Sequence, residues 1–206
     1  MSTPSYPLSL PTSPNFSQST FEIVRKTGFT ESPFTGKQQV HEYPYALWKA
    51  TLTLPPLRKS DWNNWSVFVL QLRGRRGTFL LGDPDNTTTQ GTAAGTILTN
   101  GSTNAGATQI SLDGFSNTVT IKKGDYIQIG ANGSNTLHLV TADATASGGA
   151  MTLNFEPAVR SAIADNTSVI FGNTAKGIFR MDADTYGWEA NAVSTYGFTF
   201  SCTQAF

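Results

Sequence analysis

The sequence predicts a mainly β protein: a β-sandwich or barrel with one flanking α-helix at about residues 60–73, interrupted by a small inserted β-barrel or sandwich. Three observations carry that reading. Apolar residues recur at helical spacing in one stretch, Trp62, Trp65, Val69 and Leu72, with Phe68 beside them. Period-two alternation stands in two places. Ala46, Trp48, Ala50, Leu52 and Leu54 alternate with Lys49, Thr51 and Thr53, and Tyr196, Phe198, Phe200 and Cys202 with Gly197, Thr199, Ser201 and Thr203. Between them the texture changes: from Asn86 to Ile121 the one charged residue is Asp113, and residues 91–149 hold ten of the nineteen glycines.

Residues 1–19 carry four of the ten prolines (Pro4, Pro7, Pro11, Pro14) and many serines. Proline fixes φ and removes a backbone donor, so this segment reads as an extended arm, either disordered or lying on a neighbouring subunit. In residues 20–85, Pro55-Pro56 stops the strand at 46–54. Ser60 then stands at the N-cap position, Asp61 suits the positive end of the helix dipole, and Gly74 supplies a left-handed cap. A strand over 78–81 and the turn Gly82-Asp83-Pro84-Asp85 follow.

Short β-type runs then appear at 108–112, 118–121, 126–129, 136–140, 151–155 and 169–171. Clusters such as Lys123-Gly124-Asp125 and Ala131-Asn132-Gly133-Ser134 separate them, the pattern of a small barrel or sandwich. Strands are expected again at 178–181 and 188–193, before the alternating run at the end. The simplest account is one domain of residues 20–85 plus 173–206, split by an inserted accessory β-domain at 86–172.

The chain has 206 residues, and fourteen Lys+Arg balance fourteen Asp+Glu. Charged residues make up 14%, against roughly 25% in an average soluble chain, while Thr, Ser and Asn together account for 60 residues. A surface of neutral hydrogen-bonding groups is poorly protected by charge repulsion and should associate readily. The absence of a basic excess argues against sequence-specific nucleic-acid binding. With 38% hydrophobic and 11% aromatic residues, the chain can build a packed core. Cys202 is the only cysteine, so neither an internal disulfide nor a cysteine metal cluster is expected. No basic segment followed by an apolar core opens the sequence, and the longest aliphatic-aromatic run is Val67-Phe68-Val69-Leu70. The expectation is a soluble chain made in a reducing cytoplasm, without a membrane-spanning segment, that reaches its destination by assembly.

Residues with catalytic chemistry are sparse. His41 and His138 have no partner at metal-ligand spacing and read as surface or packed residues. No Gly-x-Ser-x-Gly elbow and no phosphate loop is present. The pairs Asp83/Asp85 and Asp182/Asp184 could serve glycoside hydrolysis or calcium, but at this spacing such acids more often bond their own turn backbone. No catalytic residue, cofactor or metal is therefore expected. Arg58, Lys59, Arg73, Arg75 and Arg76 flank both ends of the Trp-rich helix and are the interface candidates, arginine being enriched at subunit contacts. For Arg73, Arg75 and Arg76, cations near a helix C-terminus are an equally good explanation.

Several segments resemble a family of tail proteins of long-tailed (siphovirus-type) bacteriophages, the minor tail or distal tail proteins. They are Ser32-Pro33-Phe34-Thr35-Gly36-Lys37-Gln38-Gln39-Val40, Trp48-Lys49-Ala50-Thr51-Leu52-Thr53-Leu54-Pro55-Pro56, Leu72-Arg73-Gly74-Arg75-Arg76-Gly77-Thr78-Phe79-Leu80-Leu81-Gly82-Asp83-Pro84 and Lys176-Gly177-Ile178-Phe179-Arg180-Met181. In the insert, Lys123-Gly124-Asp125-Tyr126-Ile127-Gln128-Ile129-Gly130 and Glu156-Pro157-Ala158-Val159-Arg160 are also similar. Shorter members, such as the small minor tail protein of lambda-like phages, lack the insertion. The longer Ser/Pro-rich arm departs from the family pattern.

The resemblance implies a tail-tube-like fold, a homohexameric ring at the virion tail tip, and partners in the tail tube, the hub or baseplate and the tape-measure protein. It carries over no enzymatic residue. The alternative is a carbohydrate-binding module that touches a host-surface glycan, with tryptophan and tyrosine faces as platforms. The two readings differ over Trp48, Trp62, Trp65 and Trp188, which are mainly core in the ring reading, whereas sugar binding needs at least two exposed and coplanar.

Overall fold

The computed structural model describes residues 4–93, 96–190 and 195–206. The chain forms β1 (Leu8–Ser9), β2 (Gln18–Glu31), β3 (Gln38–Thr53), the helix α1 (Lys59–Leu72), β4 (Phe79–Leu81) and β5 (Thr96–Thr99). There follow β6 (Gln109–Asp113), β7 (Thr120–Ile121), β8 (Tyr126–Ile129), β9 (Thr136–Val140), β10 (Ala144–Thr145) and β11 (Ala150–Glu156). The last are β12 (Ser168–Phe171), β13 (Gly177–Met181), β14 (Glu189–Ala190), β15 (Tyr196–Gly197) and β16 (Thr199–Gln204). The protein is mainly β, with one α-helix flanking a six-stranded sheet and a closed barrel of six strands.

The sheet runs β1-β4-β13-β16-β3-β2. Its alternation follows the sequence: Trp48, Ala50, Leu52 and Leu54 are buried from one side, and Phe198, Phe200 and Cys202 from the neighbouring strand. Phe200 pairs with Leu52 and Cys202 with Ala50, so the two apolar rows meet on one face. On that face lies α1, whose Trp62, Trp65, Phe68 and Leu72 are buried. Trp65 meets Phe200, and Phe68 meets Phe79 edge-on. Burial of the Cys202 thiol pushes its pKa up and keeps it unreactive.

The helix range differs from the expected one by a residue at each end, its N-cap by two residues and its C-cap by one. Leu57 is buried and bridges to Tyr196, so the helix begins immediately after it, with the Arg58 carbonyl accepting the first helical bond from Trp62. Arg58 is the N-cap without a side-chain bond, and Ser60 lies inside the first turn. At the other end Arg73 is the left-handed cap (φ 53°) and Gly74 continues it (φ 68°). A Cβ on Gly74 would lie 2.6 Å from Asp184 Oδ1, which explains glycine there.

The amino-terminal arm packs on its own chain. Leu8 and Ser9 pair in parallel with β4. The Tyr6 hydroxyl donates to the Gln71 carbonyl at 2.7 Å, and the Trp65 indole N–H to the Ser13 carbonyl at 3.3 Å. Phe16 meets both Trp65 and Phe200. Neither a disordered terminus nor an arm on a neighbour describes residues 4–16; their apolar side chains complete the core around α1.

The barrel closes in the order β11-β6-β5-β12-β8-β9, all neighbours antiparallel. Strands β6 and β11 alternate buried and exposed residues, as a barrel wall facing solvent should. Strands β8 and β9 are covered on both faces. Val140 and Ile127 belong to the barrel core, whereas Leu137, Leu139 and Tyr126 pack into the core of the sheet. The Trp48 indole N–H donates to the Leu137 carbonyl at 2.8 Å, and Tyr126 lies 5.8 Å from the Trp48 ring. The short strands β7 and β10 pair beside the barrel.

Chain entry and exit lie side by side, with Leu81 paired to Gly177. A Cβ on Gly82 would sit 2.4 Å from the Ala175 carbonyl oxygen, so the two crossing segments leave room for glycine only. Buried Asp125 accepts from the N–H groups of Gln90 (2.7 Å), Gly91 (3.1 Å) and Lys122 (2.9 Å), and so anchors the incoming loop segment to the barrel turn.

Strands β1, β2, β5 and β10 and the outer half of β3 were not anticipated from the sequence. The strand expected at 188–193 is β14 at Glu189–Ala190, and residues 191–194 lie outside the described residues.

Candidate assembly surfaces

The principal unpartnered feature is the β2–β3 hairpin. The two strands pair from Gln18↔Thr53 to Glu31↔Gln38. Strand β16 covers β3 only from Lys49 to Thr53, so beyond Trp48 the hairpin runs on as a two-stranded ribbon with no third strand among the described residues. The register shifts between Arg25 and Thr27, opposite Pro44, which has no N–H for the ladder. At the tip the Ser32 N–H donates to the Lys37 carbonyl and the Gly36 N–H to the Ser32 carbonyl, both at 2.9 Å.

Large apolar side chains stand open on this ribbon. Phe29 is 58% exposed, Val40 62%, and Phe34 at the tip 95%. Phe29 pairs directly with Val40, so these two share one face. Tyr43, half exposed, lies against His41 and Gly28. An aromatic and a β-branched residue in a solvent-exposed cross-strand pair mark a contact surface when the ribbon has nothing of its own to cover them.

A second apolar area lies on the outer side of α1. Val67 and Leu70, three residues apart on the helix, are 52% and 70% exposed, and Trp188 is 50% exposed. A groove of about 180 Å³ runs between Leu70 and Trp188, lined also by Val69, Met181, Asp184 and Tyr186. Trp48, Trp62 and Trp65 are core, as expected; Trp188, expected to be mainly core, packs one side on Trp62 and leaves the other to solvent. No exposed coplanar pair of tryptophans results, because Trp62 is buried and tilted 46° to Trp188.

The basic candidates separate into two groups. Arg58 and Lys59 begin α1, while Arg73, Arg75 and Arg76 follow its end, some 20 Å away at roughly 1.5 Å per residue. Nearness in sequence concealed this, because the helix lies between them. Arg75 is tied down: its backbone N–H donates to Asp184 Oδ1 at 2.8 Å and its guanidinium to the Asp182 carbonyl. The last helical turn itself holds no basic residue, so the dipole explanation applies only to the residues beyond the cap. Arg58, Lys59, Arg73 and Arg76 are exposed.

The acidic pairs are engaged within the chain. Asp83 accepts from the Asp85 N–H at 3.0 Å, the turn role expected of it, and from the Tyr126 hydroxyl at 2.9 Å across to the barrel. Burial, with the Asp83 charge beside it, pushes the Tyr126 pKa up. Asp182 accepts from the Thr203 hydroxyl at 2.6 Å, and Asp184 secures Arg75. His41 is exposed on the hairpin, and His138 is buried in the barrel. Among the described residues no cluster of three or more His, Cys, Asp or Glu side chains could hold a metal ion. Nor is any helix long and apolar enough to cross a membrane.

An open cleft of about 670 Å³ separates the hairpin from the barrel, lined by Arg25, Glu42, Tyr43, Glu156, Val159 and Arg160 among others. Arg25 spans its floor, bonding Glu42 at 3.3 Å and Glu156 at 2.8 Å. All three side chains are well exposed, so solvent screens the pairs and they orient the hairpin base more than they stabilise it. In comparison with known proteins, no family model and no curated protein sequence matches the chain.

Proposed function

We propose that the protein is a structural component of a bacteriophage tail tip, a subunit of a ring that joins the tail tube to the hub or baseplate. The observation that carries the reading is the projecting hairpin with Phe29, Phe34 and Val40 open to water. A solitary binding module or enzyme gains nothing from a bare apolar ribbon, which invites aggregation, whereas an assembly subunit covers it with a neighbour. The charge balance and the Thr/Ser/Asn-rich composition suit wide neutral contacts, and the resemblance of the outer segments to distal tail proteins supplies the setting.

In this reading the sheet and α1 form the ring wall. The barrel decorates it, held in place by Leu137 and Tyr126. Arg58, Lys59, Arg73 and Arg76 line the rim of the contact surfaces, where arginine serves well. The glycan-binding alternative keeps one observation in its favour, the cleft with Tyr43 and two carboxylates.

Light scattering and negative-stain imaging of the purified protein test the proposal. A closed ring is expected; six copies would weigh about 133 kDa, six times 22.1 kDa. A protein that stays monomeric at high concentration and binds saccharides would overturn the ring reading in favour of the alternative.

A further inference from the structure

We infer that the hairpin docks on the α1–Trp188 groove of a second copy of this chain, making the subunit contact head-to-tail. The inference rests on the assembly reading above and names the two surfaces that meet.

The two apolar areas are opposite in shape and in position. One projects: Phe29 and Val40 on one face of the ribbon, with Phe34 at its tip. The other is recessed: the groove between Leu70 and Trp188, with Val67 exposed one turn from Leu70 on α1, outside the groove lining. Trp188 packs on Trp62, which stacks on Tyr196, and Tyr196 precedes the β16 residue Thr199 that pairs with Thr53. The groove thus belongs to the Thr53 end of β3, while Val40 lies near the other end. At roughly 3.3 Å per residue they stand on the order of 40 Å apart along the strand. A chain cannot fold its own ribbon into its own groove over that distance, and a neighbour can.

The areas are those of a stable contact. A whole aromatic side chain covers roughly 150–250 Å². By that scale the exposed parts of Phe29, Phe34 and Val40 offer on the order of 400 Å², and those of Val67, Leu70 and Trp188 about 300 Å². Interfaces are about 57% apolar, so burying both areas corresponds to a contact of roughly 1,200 Å² in total. That reaches the lower bound of specific, stable interfaces. Because the two surfaces differ, the contact is heterologous, and repeated copies close a ring or extend a stack.

Single-cysteine chemistry tests the pairing, since the native Cys202 is buried. Phe34→Cys and Leu70→Cys variants are mixed, treated with a short bis-maleimide and resolved by denaturing electrophoresis, with the oligomer mass measured on the same untreated sample. The expected result is a cross-linked dimer in the mixture and neither variant cross-linking alone. The Phe34→Cys/Leu70→Cys double variant should give a ladder. An intact oligomer without the mixed cross-link, or one in which either variant cross-links to itself, overturns the pairing and leaves the ring reading standing. A monomer for the unmodified protein at every concentration overturns both.

Discussion

His138 makes the barrel sensitive to acid. The side chain points into the barrel beside Phe155, with its ring fully removed from solvent. Its Nδ1 lies 2.7 Å from the Pro157 carbonyl, which can only accept, so Nδ1 carries the hydrogen. Nε2, 2.9 Å from Thr136 Oγ1, then accepts from that hydroxyl in the neutral ring. Protonation would reverse the second bond and turn the Thr136 hydroxyl toward the Ile129 carbonyl, 3.2 Å away. No hydrogen bond need be lost, so the cost of the charge is desolvation. Burial accordingly lowers the pKa from 6.5 to about 4, against a smaller opposing effect of the Pro157 bond.

The sign follows from proton uptake. Above pH 6.5 the ring is neutral in both states and stability is unaffected. Between pH 6.5 and about 4 the unfolded chain binds a proton that the folded chain refuses, so stability falls with falling pH. The loss is about 2 kcal/mol at pH 5 and approaches roughly 3 kcal/mol near pH 4. Thermal unfolding should therefore show a midpoint about 4–8 °C lower at pH 5 than at pH 7.5. His138→Gln, which cannot titrate, should remove that difference even if it lowers stability overall. Equal pH dependence in the two proteins, or a wild type that gains stability between pH 6.5 and 5, would refute the assignment.

Substitutions at two further positions probe the contacts that place the barrel. Asp125→Ala removes the acceptor of three backbone N–H groups and should cost about 3 kcal/mol or more; Asp125→Asn, which keeps one acceptor oxygen, should cost less. Urea midpoints in the order wild type, Asn, Ala check this. Leu137→Ala empties a fully buried site at the seam between barrel and sheet and should destabilise by about 2–5 kcal/mol. A red shift in tryptophan emission should accompany it, because Trp48 lies on that seam.

What could be read from the sequence followed from how many faces of an element are buried. The run from Tyr196 to Thr203 was plain because β16 buries one face, with Phe198, Phe200 and Cys202 inward. Strands β8 and β9 lie at 126–129 and 136–140 as expected, since short apolar runs between Gly/Asn turns have few alternatives. Their second buried face was not legible: Leu137 and Leu139 look like any strand residues until the sheet is placed against them. The hairpin escaped for the converse reason, since a ribbon exposed on both faces has no apolar period to detect. One signal did exist. Phe29 and Val40 stand nearly symmetrically about Ser32-Pro33-Phe34-Thr35-Gly36, the arrangement of a cross-strand pair around a turn. The candidate site suffered most, because the basic cluster is local in sequence and the apolar surfaces are assembled from distant segments.

The barrel is an insertion in topology and a structural member in energetics. Strands β4 and β13 are neighbours, with Leu81 opposite Gly177, so a short turn could replace everything between them without changing the strand order of the sheet. Removal would nonetheless strip Leu137, Leu139 and Tyr126 from the core of the sheet and leave the buried Trp48 indole N–H without its acceptor. A lone unsatisfied donor of that kind costs about 1–3 kcal/mol, and the apolar sheet surface left without Leu137 over it adds a comparable amount. A sheet that dispensed with the insert would need an apolar substitute over Trp48. Arg25 adds a tie from the hairpin base to Glu156 of the barrel, so the ribbon, the sheet and the barrel meet at one junction. Strand β6 keeps its exposed face polar, with Gln109 and Ser111 open to solvent, whereas β5 exposes Leu98 beside Thr96. The charge-poor segment from Asn86 to Ile121 and the exposed apolar side chains of the hairpin and α1 occupy different parts of the molecule, and one net charge of zero averages over both.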